Sequence, residues 1–275
     1  MPPAALLAGV CSVTLRARSI AEVVAATAAA GLAAIEWGGD VHVPVGDIVA
    51  AAEAHRRSAD GGLAIVSYGS YLMCSPDVGD HVEAVLDTTE ALGTGAVRVW
   101  CPFGVEPGVR SAERGAVVDA VASVADAARE RGLAVYLEFH GGTLTASAAS
   151  VTDLLDAIGA PNLFSAWQPP YWDPQPLDTD LDDLRALAPR LAHLHVYQWD
   201  PDGRRHHLAD GCDTWPARLA AVTVESASTF PGRSALLSSN PPRAMDPPAW
   251  PRWSSGNGLP RVGGGGGPCQ TYRVS

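Results

Sequence analysis

Lysine is absent from these 275 residues; all 19 basic side chains are arginine. Beside so much alanine, glycine and proline, that absence reads as the mark of a GC-rich coding sequence rather than a functional choice. Long hydrophobic runs are missing too: Gly, Asp or Arg breaks each apolar stretch, which excludes a transmembrane helix. The start, MPPAALLAGVC, has neither the positive n-region nor the length of a secretory leader, so a cytoplasmic protein with no membrane partner is expected. Five scattered cysteines (Cys11, Cys74, Cys101, Cys212, Cys269) make no CxxC pair and no even framework, and read as buried or incidental thiols. No GxGxxG follows the first strand-like run and no Gly-Lys-Ser/Thr loop occurs, which argues against nucleotide-binding folds. Basic charge is also scarce. Residues 1–222 carry 28 acids against 14 arginines, whereas residues 223–275 carry two acids against five. A body this acidic disfavours a nucleic-acid partner, which is met through a basic surface.

What the chain does have is alternation. Short β-rich runs begin near Ala8, Ala33, Leu63, Ala96, Ala134, Leu163 and Ala192, and each interval holds one helix-like segment. Ser19 with Glu22 forms a capping box ahead of one helix, Ser150 with Asp153 suggests the start of another, and Ser111 to Arg131 is the longest. Strand–helix repetition at this period means parallel strands with crossover helices, and seven units in line favour a (β/α)8 TIM barrel over an open sheet. The eighth strand is expected to start at Arg233–Leu237 after a helix at Thr214–Val222, and to be incomplete or aberrant. A frayed strand there would leave two sheet edges open to association. Between 223 and 275, 24 of 53 residues are Pro, Gly or Ser, so the barrel is assigned to 1–222 and the remainder to a disordered tail.

Parity along the strands sorts side chains between the helix-covered face and the barrel interior. Val135, Leu137 and Phe139 oppose Tyr136, Glu138 and His140; Ala192, Leu194 and Val196 oppose His193, His195 and Tyr197. Ala33, Ile35 and Trp37 oppose Glu36, and Val97 and Val99 oppose Arg98 and Trp100. The interior therefore gathers Glu36, Arg98, Glu138, His140, His193 and His195 near the strands' C-terminal ends, where barrel enzymes carry their chemistry. Buried charges need pairing, a metal or a polar ligand. Two readings stand: a divalent-ion site including Glu138, or a hydrogen-bonded network in which Arg98 pairs with Glu36 or Glu138.

Six ordered motifs, GLAAIEWGGDVHVPVGD (31–47), SYGSYL (67–72), VRVWCPFG (97–104), LEFHGGTLT (137–145), WQPPYW (167–172) and LAHLHVYQWDPDGRR (191–205), resemble the sugar phosphate isomerase/epimerase family of xylose isomerase-like TIM barrels. The resemblance spans roughly residues 5 to 220. It implies isomerisation or epimerisation of a small sugar or sugar phosphate by proton abstraction next to a carbonyl. Inosose dehydratase-like lyase activity and a catalytically impaired or carbohydrate-binding role are the alternatives, and a homo-oligomer is common among relatives. It also implies a divalent metal (Mn, Mg, Co or Zn) held by a Glu, an Asp, a His and a Glu on strands five to eight. By motif, Glu138 and His195 match the first and third, and Gln168 stands where the Asp belongs. Glu138 is then also the catalytic acid/base group, and Glu36, Trp37, Arg98 and His140 are candidate substrate contacts. The last Glu should follow an apolar pair, yet Leu236-Leu237 is followed by Ser238-Ser239. Loss of the first base of GAG TTC would give Ser-Ser, so a frame shift from about residue 238 is a hypothesis that translation of the other frame tests. With one ligand charge in place of three, weak or undetectable binding of a hard metal ion is expected.

Overall fold

The structure, a computed structural model, describes residues 6–79, 81–108, 111–199, 204, 206–223 and 234–237. Of the tail expected over 223–275, Thr223 and Ser234–Leu237 are described, as a helix end and a strand; the rest, with the frame shift expected from about residue 238, lies outside the described residues.

Eight parallel strands close into a barrel in sequence order. They are β1 (Leu7–Cys11), β2 (Ala34–Gly38), β3 (Ala64–Met73), β4 (Ala96–Trp100), β5 (Ala134–Leu137), β6 (Leu163–Trp167), β7 (Leu191–Val196) and β8 (Ser234–Leu237). The connecting helices are α1 (Ile20–Ala29), α2 (Ile48–Asp60), α3 (His81–Ala91), α4 (Ser111–Glu130), α5 (Ala148–Ile158), α6 (Leu177–Leu187) and α7 (Trp215–Thr223). All seven strand starts read from the sequence fall within one residue of an observed strand start. β8 is short, four residues, but it pairs in parallel with both β1 and β7. The two open edges expected there do not exist: four paired residues on each side suffice to close the ring.

Local chemistry sets the element boundaries. α1 opens on the anticipated capping box, with Ser19 accepting from the Glu22 amide and Glu22 reaching back to the Ser19 amide. That exchange satisfies two donors that a helix start otherwise leaves unpaired. α5 departs from expectation, because its cap is Ser147, which accepts from the Ser150 amide. The Ser150 hydroxyl instead donates to the Leu144 carbonyl, so the helix begins three residues before the proposed Ser150 cap would have allowed. Gly159 ends α5 at φ 66°, a left-handed conformation that glycine adopts without strain.

The layer between strands and helices is the core. Ile35, Val97, Val99, Val135 and Leu137 pack with helix residues such as Val23, Leu86, Val121, Val124 and Leu154, all buried. Each such side chain contributes about 1.5–3 kcal/mol through removal from water. That layer holds the strands rigidly enough for their inward side chains to meet in fixed geometry.

Candidate active site

Register places the interior polar residues side by side. Cys11 pairs with Glu36, Glu36 with Ser67, Gly69 with Arg98 and Arg98 with Tyr136 on successive strands. Partners in register share a sheet face, so these groups form one continuous belt inside the barrel.

Glu36 is the centre of its lower part. Arg98 Nη1 lies 2.9 Å from Oε1, and the Cys11 thiol donates to the same oxygen at 3.4 Å. Ser67 Oγ donates to Oε2 at 2.8 Å, and the Tyr136 hydroxyl donates to it as well. A carboxylate offers about four lone-pair sites, and all four are taken. Burial would raise the Glu36 pKa, but Arg98, His195 and the Tyr136 hydrogen bond hold it down at about 2. Burial likewise raises the Cys11 pKa, and Glu36 adds to the effect, so the thiol keeps its proton.

Glu138 stands just beyond the end of β5. His195 Nδ1 is 3.5 Å from its Oε1, and Arg98 Nη1 is 3.4 Å from its Oε2. Burial opposes ionisation of Glu138, yet His195 and Arg98 keep its pKa below the ordinary carboxylate value. Burial opposes the charge on Arg98 too, and Glu36 and Glu138 outweigh it, raising its pKa well above normal. His195 Nε2 points the other way, 3.9 Å from Glu36 Oε1. One imidazole and one guanidinium thus each face both carboxylates. Gly69 makes room for this: a Cβ there would lie 2.9 Å from both Arg98 Nη2 and Glu36 Oε1.

Glu36, Arg98, Glu138, Gln168 and His195 come together, and Arg98 pairs with both carboxylates rather than one. Gln168 corrects the ligand expectation. Its amide nitrogen donates to the Phe139 carbonyl at 2.5 Å and to Glu138 Oε1 at 3.3 Å. A backbone carbonyl only accepts, so the amide cannot be turned to present its oxygen to the same place. Glu138 is consequently surrounded by donors, and the groups around it do not form the oxygen-rich shell that a hard divalent ion requires. Glu138, Gln168 and His195 as arranged do not fit such an ion.

The substrate candidates separate by depth. Glu36 and Arg98 are 1% and 3% exposed; the Glu36 carboxylate is saturated and Arg98 Nη1 faces both carboxylates, so they form the floor rather than contact surface. Trp37 lies on the opposite face of β2, where its indole donates to Ser58 of α2. It packs in the strand–helix layer and not in the interior, as its parity implied. His140 alone of the four reaches the mouth. Its Nδ1 donates to the Gly141 carbonyl at 2.7 Å, which leaves Nε2 to accept from the Tyr171 hydroxyl, also at 2.7 Å. Burial lowers its pKa and keeps it neutral.

Around His140 stand aromatic rings that sequence reasoning left unassigned. Trp100, Phe103 and Trp172 lie 5.1, 5.4 and 5.4 Å from it, and Tyr171 and Tyr197 both approach Trp199. Their signal was present in VRVWCPFG, WQPPYW and VYQW, all in the loops or strand ends at the C-terminal rim. Cys11 was missed as well. Its strand parity, with Gly9 on the same face, was the available clue.

A family model for xylose isomerase-like TIM barrels matches residues 24–224. A probable 3-DHS dehydratase, AsbF, involved in petrobactin synthesis in Bacillus anthracis superposes with TM-score 0.70 at 17% identity, covering 85% of this chain and 92% of that one. The D-allulose 3-epimerase of Methylomonas sp. gives 0.61 at 18% identity, covering 86% and 85%. A xylose isomerase-like TIM barrel protein from Mycobacterium smegmatis, in complex with magnesium, gives 0.60 at 12% identity, covering 88% and 93%. At these identities the likeness is one of fold. No curated protein matches the sequence.

Proposed function

Because the chain belongs to the xylose isomerase-like TIM barrel family, we propose that it acts on a small sugar by moving a proton at the carbon next to a carbonyl, with Glu138 as the group that takes the proton. The observation that carries this reading is the placement of Glu138. Its carboxylate sits at the C-terminal end of β5 against His195 and Arg98, and its Oε2 accepts no hydrogen bond although Arg98 stands 3.4 Å away.

Glu138 is ionised in the free protein because two cation-forming groups face it. It is a weak base in that state, and it strengthens when a bound substrate draws His195 toward a developing oxyanion. Gln168, just past the end of β6, donates to Oε1 and holds it in place, so the carboxylate does not swing as its charge changes. His140, with its tautomer set by Gly141 and Tyr171, presents a neutral ring among Trp100, Phe103 and Trp172. Aromatic faces of this kind stack on the apolar side of a sugar ring and help exclude water. The Arg98 charge is already balanced by two carboxylates and its side chain is 3% exposed, which favours an uncharged sugar over a sugar phosphate at this depth.

The test is solvent exchange. The protein is incubated in D2O with a panel of ketoses and inososes, with and without added Mn2+, and deuterium at the carbon beside the carbonyl is read by NMR. Glu138→Gln should lower exchange by about a hundredfold or more while leaving the fold intact. Sugar binding without exchange in the unaltered protein would instead identify a carbohydrate-binding relative, and exchange that survives Glu138→Gln would remove Glu138 from its role.

A further inference from the structure

The interior polar cluster contains a donor set of which the proton-transfer reading and the family metal pattern use only His195. One ligand atom from each of Cys11, Glu36 and His195 lies within 4.8 Å of the others, and all three residues are buried. They come from β1, β2 and β7, three strands held in the ring by β8 and by their own pairing. We infer that this triad is a binding site for a thiophilic divalent cation of the Zn2+ type, separate from the Glu138 position and sharing only the His195 ring with it.

Distance supports this first. Zinc binds sulfur at about 2.3 Å and nitrogen or oxygen at about 2.0–2.2 Å, so tetrahedral donors sit roughly 3.3–3.8 Å apart. Cys11 Sγ to Glu36 Oε1 is 3.4 Å, and His195 Nε2 to Glu36 Oε1 is 3.9 Å. The remaining separation closes with a shift of about 1 Å or less. His195 Nε2 is itself a second indication, because it is buried, accepts or donates no hydrogen bond, and is aimed at the other two donors.

Lone pairs and charge agree. Of the two positions on Glu36 Oε1, Arg98 holds one and the Cys11 thiol proton the other. The ion takes the place of that proton, so no other bond to Glu36 has to break. On binding, the Cys11 S–H bond loses its proton to solvent and the sulfur's electron pair goes to the metal. Glu36, Glu138 and Arg98 together carry one net negative charge when the thiol and imidazole are neutral. A divalent ion that expels the thiol proton brings the buried cluster to zero, which is the state of least desolvation cost. A thiolate also selects zinc-like ions over magnesium or calcium, whose preference is for oxygen.

Metal-free protein titrated with Co2+ tests the assignment without reference to activity. One equivalent should bind with a near-ultraviolet thiolate-to-cobalt charge-transfer band, about one proton should be released per ion, and Zn2+ should displace the cobalt. Cys11→Ser should abolish the band and weaken Zn2+ binding by about tenfold or more. Glu138→Gln and Cys212→Ser should both retain the band. X-ray absorption of the Zn2+-loaded unaltered protein, which needs no variant to fold, should show one sulfur among nitrogen and oxygen neighbours. Failure to bind one equivalent, a shell without sulfur, or a band lost in Glu138→Gln or Cys212→Ser but kept in Cys11→Ser would each overturn the proposal.

Discussion

Replacing Arg98 by Met removes the guanidinium that faces two buried carboxylates while keeping much of the side-chain volume. In the native protein Arg98 Nη1 lies 2.9 Å from Glu36 and 3.4 Å from Glu138, and all three side chains are under 5% exposed. Leaving buried charges without their partner costs about 3–5 kcal/mol, which for a domain of this size lowers Tm by roughly 6–20 °C. The pH dependence makes the test specific. Glu36 titrates at about 2 in the folded protein against a reference of 4.5. Its depressed value contributes roughly 3 kcal/mol of stability above the reference pKa, lost as pH falls from 4.5 through about 2. In Arg98→Met burial dominates, so the carboxylate pKa values rise above the reference and the sign reverses: acidification protonates them and relieves the penalty. The gap between the two proteins should therefore be widest at neutral pH and narrow toward about pH 4. Urea unfolding followed by far-ultraviolet circular dichroism across that range measures it. A gap below about 1 kcal/mol at neutral pH, or one of constant size, would refute the assignment of Arg98 as the buried counter-ion.

Two further substitutions probe the scaffold under the site. Gly69→Ala puts a Cβ 2.9 Å from Arg98 Nη2 and Glu36 Oε1, and the overpacking should cost about 1–3 kcal/mol; an unchanged urea midpoint would show that this approach is not tight. Ser19→Ala removes the capping box of α1 and should cost about 1 kcal/mol with no effect on sugar exchange, so a change in exchange there would tie α1 to the site.

The strand sequence already decided which residues face inward. Side chains alternate along a strand whatever the rest of the fold does, so Glu36, Arg98, Glu138, His193 and His195 were assigned to the interior from parity alone, while Trp37, offered as a substrate contact, has the parity of the helix layer where it packs. The strand–helix period likewise announced the barrel, and the Ser19–Glu22 box is a contact between residues three apart. What the tertiary structure decided is which inward groups touch. Tyr136 reaches Glu36 across 100 residues and Gln168 reaches Glu138 across 30. Those meetings depend on strand stagger, on the register shift between Ile35 and Glu36, and on a four-residue β8 closing the ring. None of these is encoded in any short window. For that reason Gln168 looked like a ligand and proved a hydrogen-bond donor, and Cys11 looked incidental and proved part of the belt. Local periodicity fixes direction, whereas partnership is fixed only when distant strands settle into register.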